Sequence, residues 1–236
     1  MRNSSKHVNR TCQPKNRGVI VTYGIPARGT GTRSAWQETM RRRVRGKAVS
    51  PAMDITLTPL AGVLVLKPKR FRDNRGFFSE TYSKRRLADA GINVDFVQDN
   101  LSVSKSPGIL RGLHFQKEPF AQVKLVSVVQ GAARDVVVDI RHSSPSFGRH
   151  FSIVLNAEEG NQVFVPIGFA HGFLALEPDT VLSYKVSNYY APEHDSGIRF
   201  DDPRLGIDWG FDQASIITSD KDRLLPPFDP QTGYFP

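Results

Sequence analysis

Short apolar runs separated by turn-forming residues dominate the chain after residue 52, and they constrain the fold more than any other feature. Each run is rich in Val, Ile, Leu and Phe, and Gly, Pro, Asn or Ser separates it from the next run. Many short strands at this spacing are typical of a β-sandwich or barrel. The runs occupy residues 62–68, 76–82, 109–115, 123–130, 134–141, 149–156, 162–166, 169–177 and 180–188.

One helix is predicted near residues 83–91. Ser83 is suited to the N-cap position, and Gly91 is suited to the position just beyond the C-terminal end. The segment after residue 188 is rich in loops and short helical turns, and residues 53–236 contain neither an internal repeat nor a low-complexity block. We therefore predict one all-β domain, a β-sandwich of the jelly-roll type with a few short helices.

The positive charge of the chain is confined to its first 52 residues. The net charge is +9, but residues 1–52 hold 12 Lys and Arg against one acid, which leaves 20 against 22 in residues 53–236. The Arg-rich stretch 41–47 is compatible with a nucleic-acid or membrane-surface tail or a transit peptide. Weak apolar periodicity favours instead a disordered extension, either a solvated tail or sequence read through ahead of an internal start at Met53.

This division predicts two regions, a basic disordered extension at 1–52 and the β domain at 53–236. Because the domain is slightly negative, we predict that it does not bind nucleic acid. Cys12 is the only cysteine, so the domain has no disulfide, thiolate zinc site or cysteine nucleophile. No apolar run has the length of a transmembrane helix or follows the basic residues as in a secretory signal. We expect a cytoplasmic protein that does not bind membranes.

Four polar side chains fall on strand faces that are otherwise apolar. Alternation along a strand places every second residue on the same face. Polar groups on such faces cost free energy unless they are hydrogen-bonded or used in function. The four are His114, Lys124, His171 and Tyr184.

These four groups together indicate proton abstraction next to a carbonyl. A lysine can stabilise an anion, a tyrosine can pass a proton, and a histidine backed by a carboxylate can act as a base. A lone strand histidine is more often a satisfied core residue. A metal site is disfavoured, because the sequence contains neither H-x-H nor H-E-x-x-H.

Three further positions leave alternatives open. Arg111 would face away from His114 on a regular strand, but Gly112 between them allows a bulge that would re-aim its neighbours, or merely accommodates packing. Arg75, in the turn 73–76, is either a solvated arginine or a phosphate ligand. The polar stretch 98–100 either binds a base or caps a loop.

The ordered motifs of the domain resemble those of the dTDP-4-dehydrorhamnose 3,5-epimerase family. The likeness extends from about Leu57 to about Pro227 and includes, in order, RDNRGFFSE, FVQDN, LRGLHFQ, AQVKLV, DIRHSSPSFG, VPIGFAHGF and SDKD. R-G-L-H-F-Q together with P-I-G-F-A-H-G-F is highly specific for this superfamily of epimerases, and less specific for one member. The basic extension has no counterpart in the family pattern.

The resemblance implies a cupin-type jelly roll that forms a homodimer by exchanging N-terminal strands, with neither a metal nor an organic cofactor. The implied reaction inverts C3 and C5 of dTDP-4-dehydro-6-deoxy-D-glucose to give dTDP-4-dehydro-L-rhamnose, a step of dTDP-L-rhamnose biosynthesis. One alternative is an epimerase that acts only at C3 or only at C5 of a related 4-keto-6-deoxy sugar nucleotide. A non-catalytic cupin that binds sugar nucleotides is the other.

The resemblance also implies roles for individual residues. His114 matches the base and Tyr184 the acid. Asp222 matches the carboxylate that partners the base, and Lys124 matches a lysine near the C4 oxygen of the substrate. Asp195 stands where the family has a glutamate, so the charge is kept on a shorter side chain. Further matches to sugar-nucleotide-binding positions are Arg75, Glu80, Gln98, Asp99, Asn100, Arg111, His171 and Lys221.

Overall fold

Strands account for most of the regular structure in the computed structural model, which describes residues 22–23 and 53–236. Two short helices, α1 (Lys84–Asp89) and α2 (Asp220–Arg223), and two 3-10 turns, Pro192–His194 and Gln213–Ser215, accompany them. The strands are β1 (Thr22–Tyr23), β2 (Met53–Leu57), β3 (Leu64–Pro68), β4 (Arg70–Asp73), β5 (Gly76–Ser79), β6 (Gln98–Ser104), β7 (Leu110–Gln116), β8 (Lys124–Gln130), β9 (Ala132–Asp139), β10 (His150–Asn156), β11 (Gln162–Val165), β12 (Phe169–Ala175), β13 (Thr180–Val186) and β14 (Asp195–Gly197).

The strands form two six-stranded sheets, and every strand pair in them is antiparallel. Sheet A has the order β1-β10-β9-β12-β7-β14, and sheet B has the order β2-β3-β11-β8-β13-β6. Strands β4 and β5 form a separate hairpin. The non-sequential order is that of strands that cross between two packed sheets, so the predicted all-β jelly-roll sandwich is confirmed.

The main core lies between the sheets and takes side chains from both. Val137 and Phe169 of sheet A pack with Val126 and Leu182 of sheet B. A second core covers the outer face of sheet A, where the C-terminal segment packs Trp209 and Phe228. Strand β9 is therefore covered on both faces and buried along its whole length. A third core lies on the outer face of sheet B beneath helix α1.

Helix α1 begins and ends where the sequence predicts. The hydroxyl of Ser83 accepts a hydrogen bond from the backbone N–H of Arg86, as an N-cap residue does. Gly91 follows the helix with a φ of 89°, a left-handed conformation that favours glycine. The helix is short, and its buried Leu87 anchors it to sheet B. In the described part of the chain, no helix is long and apolar enough to cross a bilayer.

Strand β6 is the main element that apolar patterning did not predict. Its first three residues are the polar stretch 98–100, and polar residues alternate with apolar ones along the rest. The strand forms the edge of sheet B and pairs only with β13 among the described strands. Because an edge strand needs few apolar side chains, its pattern resembles that of a loop.

The predicted extension, residues 1–52, lies outside the described residues except for β1. The backbone of Thr22 and Tyr23 pairs with Ser152 and Phe151 of β10, at the edge of sheet A. The expected disorder of the extension stays a prediction, as does the boundary at Met53.

A chain that begins at Met53 is expected to fold with the melting temperature of the full-length protein. The physical reason is that all three cores consist of residues between Met53 and Phe235. Circular dichroism melts of the two chains check this directly. A clearly lower melting temperature for the shorter chain would show that the extension packs on the domain.

Candidate active site

A bulge in β7 brings Arg111 and His114 to the same face of sheet A. The pairing of β12 with β7 shifts register so that His171 lies opposite His114, whereas Phe173 lies opposite Arg111. Three residues of β12 thus face four of β7. Directly opposed residues share a face, so both side chains point toward the core between the sheets. The bulge that Gly112 allowed in the sequence is present.

Two glycines make this bulge possible. Gly112 has a φ of 130°, and a Cβ atom added to it would lie 2.5 Å from the Cα of Gly172 on β12. A Cβ atom on Gly172 would in turn lie 2.9 Å from the backbone oxygen of Arg111. Neither position has room for a side chain, so Gly112 serves the backbone geometry of the site.

His114 is hydrogen-bonded to the carboxylate of Asp222. Its Nε2 lies 2.7 Å from Oδ1, and the other carboxylate oxygen accepts the backbone N–H of Gly112 at 3.1 Å. Asp222 is buried in helix α2, where Ser219 is the N-cap. The helix thus fixes a carboxylate behind the predicted base, 108 residues away in sequence.

The electrostatics of this pair suit a base. Burial alone would raise the pKa of Asp222, but hydrogen bonds from His114, Gly112 and Ser219 lower that pKa below its usual value. Because the ionised carboxylate only accepts hydrogen bonds, the neutral imidazole carries its proton on Nε2. Its lone pair is then on Nδ1, where it can take a proton from a substrate.

Lys124 of sheet B faces the pair across the sandwich. Its Nζ donates to the backbone oxygen of His114 at 3.4 Å. Burial lowers the pKa of Lys124 to about 8, although the charges of Asp195 and Asp135 act in the opposite direction. The ammonium form is therefore present at neutral pH and disappears as the pH rises through about 8.

Tyr184 lies on the neighbouring strand, on the same inner face as Lys124. It packs against the core between the sheets and stands opposite Val126 of β8 and Asn100 of β6. Burial raises the pKa of Tyr184 and the charge of Asp195 adds to this, while Arg111 opposes it. The phenol consequently stays protonated at neutral pH and can act as a proton donor.

A second histidine–carboxylate pair lies next to the first. His171 Nε2 is 2.8 Å from Oδ2 of Asp135 on β9, and both side chains are buried. His171 stands directly opposite His114 in the ladder between β12 and β7. The two predicted residues are therefore neighbours, and each is backed by its own aspartate.

Asp195 connects the C-terminal segment to the cluster of predicted catalytic side chains around His114. It lies on β14, opposite Gln116 of β7, and its Oδ2 pairs with Nζ of Lys221 at 2.5 Å. The hydroxyl of Tyr190 donates to the same oxygen at 3.2 Å. Gly197 of the same strand stands opposite His114, and the charge of Asp195 favours the ammonium form of Lys124, so Asp195 lies close to the predicted catalytic side chains.

Edge strand β6 adds an amide pair and a contact to Arg111. Gln98 and Asn100 stand opposite Val186 and Tyr184, so they share the inner face, and the Gln98 amide donates to the Asn100 oxygen at 2.8 Å. The guanidinium of Arg111 donates to the backbone oxygen of Val103 at 3.2 Å. Strand β6 therefore lies next to both Tyr184 and Arg111.

Three of the predicted binding residues do not lie near His114, Lys124 and Tyr184 within one chain. Asp99 lies on the outer face of sheet B and pairs with Lys185 at 2.8 Å. Arg75 is at the tip of the β4–β5 hairpin, 84% exposed, and pairs with Asp73 of the same hairpin. Glu80, just beyond the hairpin, pairs with Arg86 of α1.

A comparison with protein families identifies the chain. The family model described as dTDP-4-dehydrorhamnose 3,5-epimerase matches residues 57–230, which is most of the domain. The chain belongs to the dTDP-4-dehydrorhamnose 3,5-epimerase family. The resemblance seen in the sequence motifs is confirmed.

Individual members of the dTDP-4-dehydrorhamnose 3,5-epimerase family are similar over nearly their whole length. The protein of that name from Sinorhizobium fredii is 47% identical over 167 residues, which cover 71% of this chain and 85% of the relative. A Bacillus anthracis epimerase structure with TDP and PPi bound is 47% identical, with a TM-score of 0.73 over 75% of this chain and 100% of its own. A Legionella pneumophila structure in complex with dTDP-4-keto-L-rhamnose is 40% identical, with a TM-score of 0.68 over 75% and 99%.

The structure of this epimerase-family chain adds residues that the sequence did not single out for the site. Asp135 backs His171, Tyr190 bonds Asp195, and Ser219 caps the helix that carries Asp222. The one signal in the sequence was the alternation of residues 134–141, which puts Asp135 on the same face as Val137, Asp139 and Arg141. Its partner could not be named without the register of β9 against β12.

Proposed function

We propose that the domain inverts C3 and C5 of dTDP-4-dehydro-6-deoxy-D-glucose to give dTDP-4-dehydro-L-rhamnose, in dTDP-L-rhamnose biosynthesis. The observation that carries the proposal is the pair of His114 on sheet A and Asp222 on helix α2, which lies across from Lys124 and Tyr184 on sheet B. Support comes from relatives of that name at up to 47% identity and from the keto-rhamnose nucleotide in the Legionella pneumophila structure.

The proposed chemistry follows from the acidity of C–H bonds next to a ketone. Both C3 and C5 are adjacent to the C4 carbonyl, so loss of either proton gives an enolate. His114 takes the proton at Nδ1 while Asp222 stabilises the resulting imidazolium. The ammonium of Lys124 stabilises the growing charge on the C4 oxygen. Tyr184 returns a proton from the opposite face, which inverts the carbon.

The proposed binding residues surround this centre. Arg111 and Lys221 supply positive charge for the diphosphate of the nucleotide, and an arginine fork suits phosphate oxygens. Gln98 and Asn100 supply amide groups at the inner edge of β6. We also propose that Asp195 contacts the substrate, because it bridges Lys221 and Tyr190 beside Lys124.

We propose further that the protein works as a homodimer in which the β4–β5 hairpin completes the site of the partner. The hairpin forms a sheet of its own and exposes Phe71, Phe77 and Phe78, the last at 68%. Clustered exposed aromatic side chains are typical of interaction surfaces. Arg75 at the tip of this hairpin is then available as a phosphate ligand for a second copy of the chain.

Product analysis by NMR with dTDP-4-dehydro-6-deoxy-D-glucose tests the function directly. The expected product is the keto sugar inverted at both C3 and C5, formed without added metal or cofactor and at the same rate with a chelator present. Inversion at one carbon would replace the proposal with a C3-only or C5-only epimerase. Binding of the nucleotide without any conversion would indicate the non-catalytic cupin.

A mixed dimer of Arg75→Ala and His114→Ala chains is expected to recover activity that both parent variants lack. If the hairpin serves the partner, one of the two sites in the mixed dimer has both residues intact, so the purified mixed dimer has about half of wild-type activity. The two variants carry different tags and are co-expressed, and the dimer that carries both tags is purified. The measurement is the turnover of this mixed dimer. If Arg75 instead serves its own chain, no site in the mixed dimer is intact and activity stays at the level of the parents.

A further inference from the structure

Two histidine–aspartate pairs lie side by side on sheet A, with the first aspartate supplied by helix α2 and the second by strand β9. In each pair an aspartate lies 2.7 or 2.8 Å from the Nε2 atom of a histidine, and the two histidines stand opposite each other on β7 and β12. Each neutral imidazole therefore carries its proton on Nε2 and its lone pair on Nδ1. The proposed reaction assigns a role to Asp222 but no role to Asp135.

The environment of Asp135 is costly for a residue that only supports the fold. Asp135 is fully buried, and within the described part of the chain its Oδ1 has no hydrogen-bond partner. A buried acceptor left without a partner is destabilising. Replacing a buried ion pair with well-packed apolar side chains is often neutral or stabilising, so joining β9 to β12 does not by itself require a histidine–carboxylate pair. The unpartnered oxygen points instead to an electrostatic role.

Asp135 is also placed to act on Lys124 across the sandwich. Its charge is one of two that favour the ammonium form of Lys124 against the effect of burial. The other is Asp195, which is already paired with Lys221. Asp135 therefore contributes to both of the groups that flank His114.

We propose that Asp135 is a positioning residue for the epimerisation, which holds His171 with Nδ1 available to the substrate and whose negative charge acts on Lys124. This inference rests on the proposed function. Asp135 touches no reacting atom and acts through His171 and Lys124. A sugar hydroxyl or the C4 oxygen is the chemical group that Nδ1 of His171 is suited to bind.

The pH dependence involves charged groups from every strand around Lys124. Asp135 on β9 and Asp195 on β14 favour the ammonium form, whereas burial opposes it. The ionisable side chains of β7, β12 and β13 that face the same space are Arg111, His114, His171 and Tyr184. Removing the charge of Asp135 lowers the pKa of Lys124 further, so activity is lost at a lower pH than in the wild type.

The test compares kcat against pH for the wild type and Asp135→Asn. We expect kcat to fall about 10- to 100-fold, the loss that follows when a metal-bound histidine loses the carboxylate that orients it. We also expect the alkaline limb of the profile to move to lower pH, while calorimetry shows unchanged affinity for TDP. If Asp135→Asn has the alkaline limb and the kcat of an active wild-type enzyme, the inference is overturned.

Asp139→Asn is the matched control, because Asp139 is equally buried on the same face of β9. Its partners are Arg141, Ser144 and Ser146, and the charges that raise the pKa of Lys124 are those of Asp195 and Asp135, not that of Asp139. This variant should lower the melting temperature without moving the alkaline limb. Equal movement of the limb in both variants would show a general effect of buried charge and overturn the inference.

NMR of the free wild-type protein provides a measurement that needs neither turnover nor a folded variant. The ¹⁵N shifts of the imidazole should show the proton of His171 on Nε2, and a proton on Nδ1 overturns the inference. Absence of turnover in the wild type would refute the proposed function alone, since the shifts still report the state of His171.

Discussion

Replacement of His114 with alanine is expected to lower kcat by about 10²- to 10⁴-fold, the contribution typical of a general base. Affinity for TDP should stay at the wild-type value. The reason is that a base interacts with the substrate proton only in the transition state, so its loss affects turnover and not ground-state binding. Steady-state kinetics with the sugar nucleotide and calorimetry with TDP measure the two effects separately.

His142→Ala is the control for this variant. His142 lies outside the sandwich interior, with its ring near Phe147, and none of the proposed steps uses it. Its kcat should match the wild type. If His114→Ala remains within a few-fold of the wild type, the base has been assigned to the wrong residue. A large loss in both variants would instead indicate a general effect of removing an imidazole.

The features that local patterning determines were predictable from sequence. Alternation predicted that Lys124 and Tyr184 face the interior, and both lie between the sheets. Capping chemistry predicted the ends of α1. Gly112 indicated that β7 could depart from strict alternation, and the structure places the bulge there. In each case the cause acts within a few residues of the chain.

The features set by contacts between distant residues were not predictable from patterning. Asp222 meets His114 from 108 residues away, and only the family resemblance assigned it. Asp135 meets His171 from 36 residues away, and no resemblance singled it out. The register of one strand against another decides which of several aspartates reaches a histidine, and register depends on the whole sheet.

Turnover in deuterated water is expected to place deuterium at both C3 and C5 of the keto sugar. Each inversion replaces a carbon-bound proton with one from Tyr184 or solvent, and both sources exchange with the medium. The measurement is NMR of the sugar nucleotide during the reaction. Label at one carbon alone would indicate an epimerase that acts at a single position.

The same experiment separates the acid from the base when Tyr184 is replaced with phenylalanine. Removing the phenol leaves His114 and Asp222 in place, so proton removal should continue while inversion slows by about 10²-fold or more. Deuterium would then enter faster than inverted sugar accumulates. Tyr82→Phe is the matched control, because Tyr82 packs on the outer face of sheet B against Phe96. Equal slowing of label entry and inversion in Tyr184→Phe would mean that the phenol holds the substrate and does not donate the proton.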